Sequence, residues 1–104
     1  KNVKGLAPKL DQEKRILFTI SESQAMDRLV VSLATRLNCH LKLSHVLRSV
    51  TALLLHAEGE IDKRAGEAGS FSRPPNGNAQ ALQDFEREIG KIIAAGIRDA
   101  GPLR

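Results

Sequence analysis

Four residues of this chain have side chains that could bind a metal ion or attack a substrate. They are Cys39, His40, His45 and His56. A zinc site needs about four nitrogen, sulfur or carboxylate ligands at close spacing, and no second Cys or suitably spaced carboxylate completes such a set. Cys39 and His40 are neighbours on a predicted turn, so their side chains do not point at each other as a nucleophile and its base must. We therefore expect structural histidines, with no metal, no cofactor and no enzymatic activity.

The segment from Lys14 to Gln24 is more informative, because its pattern indicates a binding surface rather than catalysis. Residues 14–20 alternate, which predicts a short β-strand. One face would carry Ile16, Phe18 and Ile20, and the other Arg15, Leu17 and Thr19. Ser21 and Gln24 have the spacing of a capping box, so a helix should follow at once. A lone strand needs a partner, and the simplest one is the same strand of a second copy. The resulting basic two-stranded ribbon would suit the major groove of DNA.

Two apolar helices are predicted after this strand. The first should run from about Glu22 to Leu37 and end at Asn38, a residue that tolerates the left-handed conformation. The second should run from Lys42 or Leu43 to Ala57. Its apolar residues cover most of its circumference, and a chain of 104 residues has little else to bury them. We therefore expect burial in a dimer.

The rest of the chain is predicted to be a linker and one more helix. Residues 1–13 form a basic arm and residues 14–58 the core, and residues 59–78 are rich in Gly and Pro and read as a linker. Within that linker, residues 60–68 could continue as a ragged helix. Residues 79–104 are the C-terminal segment. An amphipathic helix should span roughly Ala79 to Ala100 within it, capped by Asn78.

The charge and composition of the chain restrict its partners and its compartment. The net charge is +4, and residues 1–20 hold five basic side chains against two acidic ones. Such an arm often lies along nucleic acid, although a solvated tail is the alternative. We expect a cytoplasmic protein, because the chain has one cysteine and shows neither a signal peptide nor an apolar run long enough to span a bilayer.

The order of basic strand, capped helix, short turn and apolar helix resembles the ribbon-helix-helix (MetJ/Arc-like) superfamily of DNA-binding proteins. The resemblance covers about residues 14–57. Residues 16–21, read ILFTIS, look like the family's I-x-V-x-L strand followed by Ser or Pro, and residues 44–50, read SHVLRSV, look like its S-x-x-I-R-x-A entry to the second helix. The resemblance implies a mostly α-helical dimer with an intermolecular antiparallel two-stranded ribbon, here extended by a C-terminal helix.

The resemblance also implies roles for individual residues. The residues facing DNA bases would be Arg15, Leu17 and Thr19. Arg15 could pair with guanine in a two-bond fork, and Leu17 could contact a thymine methyl group. The residues holding DNA phosphates would be Lys14, Lys42 and Ser44. The dimer core would contain Ile16, Phe18, Ile20, Leu29, Leu33, Val46, Leu47, Val50 and Leu54.

The sequence thus predicts a homodimeric protein that binds double-stranded DNA. Members of the resembled family act as transcriptional repressors, as antitoxins, or in plasmid partition and transfer. The C-terminal helix could join dimers into tetramers or bind a protein partner, and no membrane partner is expected. The alternative is a helical protein–protein interaction module that dimerises without binding DNA.

Overall fold

The computed structural model describes residues 8–104, and the described chain is built from four α-helices. They are α1 (Ile20–Leu37), α2 (Leu43–His56), α3 (Glu58–Ala68) and α4 (Ala79–Ala100). Residues 1–7, which include the start of the predicted basic arm, lie outside the described residues.

The predicted N-terminal strand is wrong, and with it the predicted ribbon-helix-helix fold. Residues 8–19 have no regular secondary structure, Ile20 is already helical, and residues 8–104 contain no strand at all. An alternating pattern indicates a strand only where a neighbouring strand can supply hydrogen bonds, and the four helices supply none. The described chain is therefore all-helical.

Helix α1 begins two residues earlier than predicted because a different capping box starts it. The Glu22 N–H donates to Thr19 Oγ1 at 3.1 Å, and the Thr19 N–H donates to Glu22 Oε1 at 2.9 Å. The negative carboxylate of Glu22 also interacts favourably with the positive end of the helix dipole. The neutral amide of Gln24 would interact less favourably. At the other end Asn38 is left-handed, with φ 49° and ψ 50°, as predicted.

Helix α3 occupies the first half of the segment assigned to a linker. It follows α2 after the single residue Ala57, and residues 69–78 then form an irregular connection to α4. Two glycines in α3 disfavour a helix by about 1 kcal/mol each relative to Ala, so packing must stabilise it. That packing is against α4, whose bounds Ala79–Ala100 and Asn78 cap agree with the predicted ones.

The α3–α4 pair is the best-packed part of the described chain. Gly96 is buried, and a Cβ atom built there would lie 2.5 Å from Ile61 Cγ1 and 2.7 Å from Ile61 Cα. The two backbones therefore touch at this crossing. Arg64 binds Asp99 through two hydrogen bonds of 2.6 and 3.0 Å, and Phe71 meets the Phe85 ring edge-on at 6.4 Å between centroids.

The rest of the molecule is open. In the described part of the chain, only Ala57 and Gly96 are buried. The radius of gyration is 16.9 Å, whereas about 13 Å is typical of a compact chain of this length. The backbone of α1 approaches that of α2, but none of its Cα atoms lies within 8 Å of a Cα atom of α3 or α4. A single copy therefore leaves the faces of α1 and α2 largely uncovered.

Candidate interaction surface

An apolar groove lies between the C-terminal half of α1 and the first three turns of α2. Its volume is about 320 Å³. We call it the α1–α2 groove. The residues that line it are Leu33, Leu37, Leu41, His45, Val46, Ser49, Val50 and Leu53. The five residues of the connection, from Asn38 to Lys42, hold the two helices side by side at this end.

The helical repeat of the sequence explains why these residues share one face. Val46, Val50 and Leu53 are spaced by four and three residues on α2, and Leu33 and Leu37 by four on α1. Val50 and Leu37 are exposed, Val50 to 44%, and Leu33, Val46 and Leu53 are half-buried. Isolated apolar side chains on a surface are ordinary, whereas a contiguous apolar concavity indicates a binding site.

A local hydrogen bond organises the start of α2 beside this groove. The Lys42 N–H donates to His45 Nδ1 at 3.0 Å. The histidine ring thereby satisfies one of the backbone donors that a helix start leaves free, and it stands at the margin of the groove. Sequence reasoning gave His45 only a general structural role, because the N3 position of this histidine depends on where α2 begins.

A second exposed apolar surface lies on the arm before α1. Ile16 is 68% exposed and Leu17 is 89% exposed, and Ile20 at the start of α1 is exposed as well. Phe18 is better covered, at 40% exposure, and lines a pocket with Leu82 at the start of α4. The arm therefore runs beside α4 while presenting Leu17 to solvent.

The predicted DNA-contacting residues are divided between two ends of α1. Lys14, Arg15 and Leu17 are exposed on the arm, and the Thr19 hydroxyl is engaged in the cap of α1. Lys42 and Ser44 are exposed at the start of α2, at the opposite end of α1. Because α1 has 18 residues, it separates the two groups by about 27 Å. A single copy does not bring them together.

The predicted dimer-core residues are incompletely covered in a single copy. Those with exposed side chains are Ile16, Phe18, Ile20, Leu29 and Val50. Those that are half-buried are Leu33, Val46, Leu47 and Leu54.

Charge is unevenly distributed between the two halves of the molecule. From Arg28 to Ala57 the sequence contains no Asp or Glu, and its basic residues are Arg28, Arg36, Lys42 and Arg48. Within residues 8–104, the ion pairs lie instead on α3 and α4: Arg64 with Asp99, and Glu88 with Lys91 at 2.7 Å. The hydrogen bond from Arg64 lowers the pKa of Asp99 below its usual range. Residues 28–57, which include the C-terminal part of α1 and all of α2, thus carry positive charges and no carboxylate.

Sequence reasoning missed a second groove, because it did not predict α3 as a regular helix. This groove has a volume of about 400 Å³ between α3 and α4. Its lining is mixed, with Phe71 and Ile92 beside the charged side chains Arg64, Glu67, Glu88 and Lys91. The apolar periodicity of residues 60–68 was too short to reveal it.

Nowhere in residues 8–104 do three His, Cys, Asp or Glu side chains gather closely enough to hold a metal ion. In the same range no helix combines the length and apolar character needed to cross a membrane.

Comparisons with models of known protein families, with curated proteins and with solved structures find no match to this chain.

Proposed function

We propose that this chain is a helical interaction module that forms a homodimer through the uncovered faces of α1 and α2. The observation that carries the proposal is the apolar α1–α2 groove, whose residues have the spacing of a buried helix face but remain open in one copy. The total accessible surface is 9013 Å², about 3,300 Å² more than a compact protein of this mass exposes. A standard interface needs only about 800 Å² from each partner.

A second copy is a partner that is always present, and two-fold dimers are the commonest assemblies of soluble proteins. Association must offset the lost rotational and translational freedom of the partners, about 4–15 kcal/mol. Completing the burial of a Leu or Val side chain contributes up to about 1.5–3 kcal/mol. Six such side chains line the groove of each copy, so the apolar area available is adequate.

The test is a charge placed in the groove. Val50→Asp should raise the dimer dissociation constant at least 30-fold, because an unpaired carboxylate would be buried at the interface at a cost of about 2 kcal/mol or more. Thr51→Asp is the matched control, since it adds the same charge at the next position on an exposed part of α2. Sedimentation equilibrium measures both. Equal dissociation constants for the two variants would show that the groove is not the interface.

DNA binding is the second candidate function, and the acid-free stretch from Arg28 to Ala57 supports it. A dimer would double the number of these basic side chains, and basic surfaces gain affinity by displacing counterions from phosphates. In this proposal the protein acts in the cytoplasm as a repressor, an antitoxin or a plasmid partition or transfer factor. Lys42 and Ser44 bind phosphates in it, and α4 is free to bind a protein partner or to join dimers.

The salt dependence of binding tests this second candidate. Fluorescence anisotropy of a labelled duplex gives the affinity at several salt concentrations. The slope of log affinity against log salt should become shallower by about 0.9 for each phosphate contact removed. Lys42→Ala should reduce the slope and weaken all sequences alike. Lys91→Ala is the control, because that lysine pairs with Glu88 on α4. A wild-type affinity that does not change with salt would refute binding through this basic surface.

A further inference from the structure

Two apolar surfaces of the same chain lack a cover in a single copy. One is the concave α1–α2 groove, and the other is the pair Ile16 and Leu17 on the arm. The arm residues precede the first helix and have no regular hydrogen-bonding pattern of their own. A concave surface and an exposed apolar segment on one chain are complementary in shape and chemistry.

The arm does not lie in the groove of its own copy. Leu33, the groove residue of α1 nearest to the arm, is thirteen residues beyond Ile20, which is about 20 Å along the helix axis. Leu17 and Phe18 lie at the other end of α1, where they line a pocket with Leu82 at the start of α4. While the arm keeps this position, an arm that fills the groove comes from another molecule.

We propose that Ile16 and Leu17 of one copy fill the α1–α2 groove of a second copy, and that the second copy returns the same contact. This inference rests on the homodimer proposed above and specifies what covers the groove. A reciprocal exchange closes on itself and leaves no free groove or arm. Packing the two grooves directly against each other would instead leave Leu17 at 89% exposure, so exchange accounts for both surfaces.

A mixing experiment separates exchange from direct groove-to-groove packing. The arm variant carries Ile16→Ser and Leu17→Ser, and the groove variant carries Val46→Ser and Val50→Ser. Each variant alone forms dimers with no intact arm–groove contact. An equal mixture forms heterodimers with one intact contact, because the arm of the groove variant enters the groove of the arm variant. Native mass spectrometry distinguishes the three dimers by mass.

The expected result is that each variant alone dimerises at least tenfold more weakly than the wild type. In the mixture, the ratio of heterodimers to all homodimers should be at least about three to one, whereas statistical mixing gives one to one. Lys14→Ser and Thr51→Ser are matched controls on the arm and on α2, and they should dimerise like the wild type. Circular dichroism of each variant should show unchanged helix content, since all four substituted residues are at least partly exposed.

Three outcomes would overturn the inference. Wild-type affinity in the arm variant would show that the groove is covered by the helices of the second copy. Statistical mixing would show that arm and groove do not pair across molecules. A wild type that stays monomeric at every concentration would refute the proposed dimer itself, which makes the two failures distinguishable.

Discussion

The close backbone contact between α3 and α4 at Gly96 yields a sharp prediction for Gly96→Ala. A Cβ atom at position 96 would lie 2.5 Å from Ile61 Cγ1, 2.7 Å from Ile61 Cα and 2.8 Å from Ile61 N. Two of those atoms are backbone, so a side-chain rotation cannot relieve the clash and α3 must move away from α4. Overpacking of this kind costs about 1–3 kcal/mol.

Gly90→Ala is the matched control on the same helix. Nothing lies within 4 Å of a Cβ atom at position 90. The substitution should therefore only gain the intrinsic helix preference of Ala, about 1 kcal/mol. Because Gly96→Ala gains the same preference, the two variants should differ in free energy of unfolding by about 1–3 kcal/mol, with Gly90→Ala the more stable.

Urea denaturation followed by circular dichroism, at one fixed protein concentration, measures this difference. A small domain shifts its melting temperature by about 4–8 °C for each kcal/mol, so thermal melting gives a second readout. Equal stability of the two variants, or a more stable Gly96→Ala, would refute the close crossing of α3 and α4.

Two further predictions concern a helix cap and an ion pair. Thr19→Ala should destabilise the protein by about 1 kcal/mol because it removes the hydroxyl that accepts from the Glu22 N–H. Ser21→Ala should have little effect in the same urea denaturation, and the reverse order would place the cap at Ser21. The pKa of Asp99 is lowered in the folded state, chiefly by the hydrogen bond from Arg64. Its contribution to stability should therefore be present above the unfolded value of about 3.9 and be lost as the pH falls through the lower folded value. Asp99→Asn should remove that part of the pH dependence, and a stability curve that keeps it would contradict the assignment.

The sequence predicts the helices whose ends carry strong local signals. Asn38 ends α1 and Asn78 caps α4, and both act through their own backbone or side-chain geometry, which needs no distant partner. The bounds of α4 were correct for this reason, despite its two glycines.

The errors fall where stability comes from distant contacts or where two local signals compete. Helix α3 depends on the crossing of Ile61 with Gly96 and on the pair of Arg64 with Asp99, which join residues 35 apart. No window of neighbouring residues contains that information. The arm was mistaken for a strand because its alternation outweighed the Thr19–Glu22 capping signal beside it.

The candidate site was only partly predictable. Val46, Val50 and Leu33 were expected to need a cover, and they line the groove. The position of Leu17 and of Phe18 relative to α4 could not be read from the sequence, because it follows from how the chain returns after residues 69–78.

The limited contact of α1 has a consequence for how firmly different parts of the molecule hold their hydrogen bonds. Since the backbone of α1 approaches that of α2 but not those of α3 and α4, whereas α3 and α4 pack along each other, local opening should be unequal across the chain. Amide protons of α4 should exchange slowly with deuterium at any protein concentration. Amide protons of α1 should exchange quickly in dilute samples and more slowly as the protein concentration rises. The exchange rate of α1 should therefore report what fraction of the protein is dimeric.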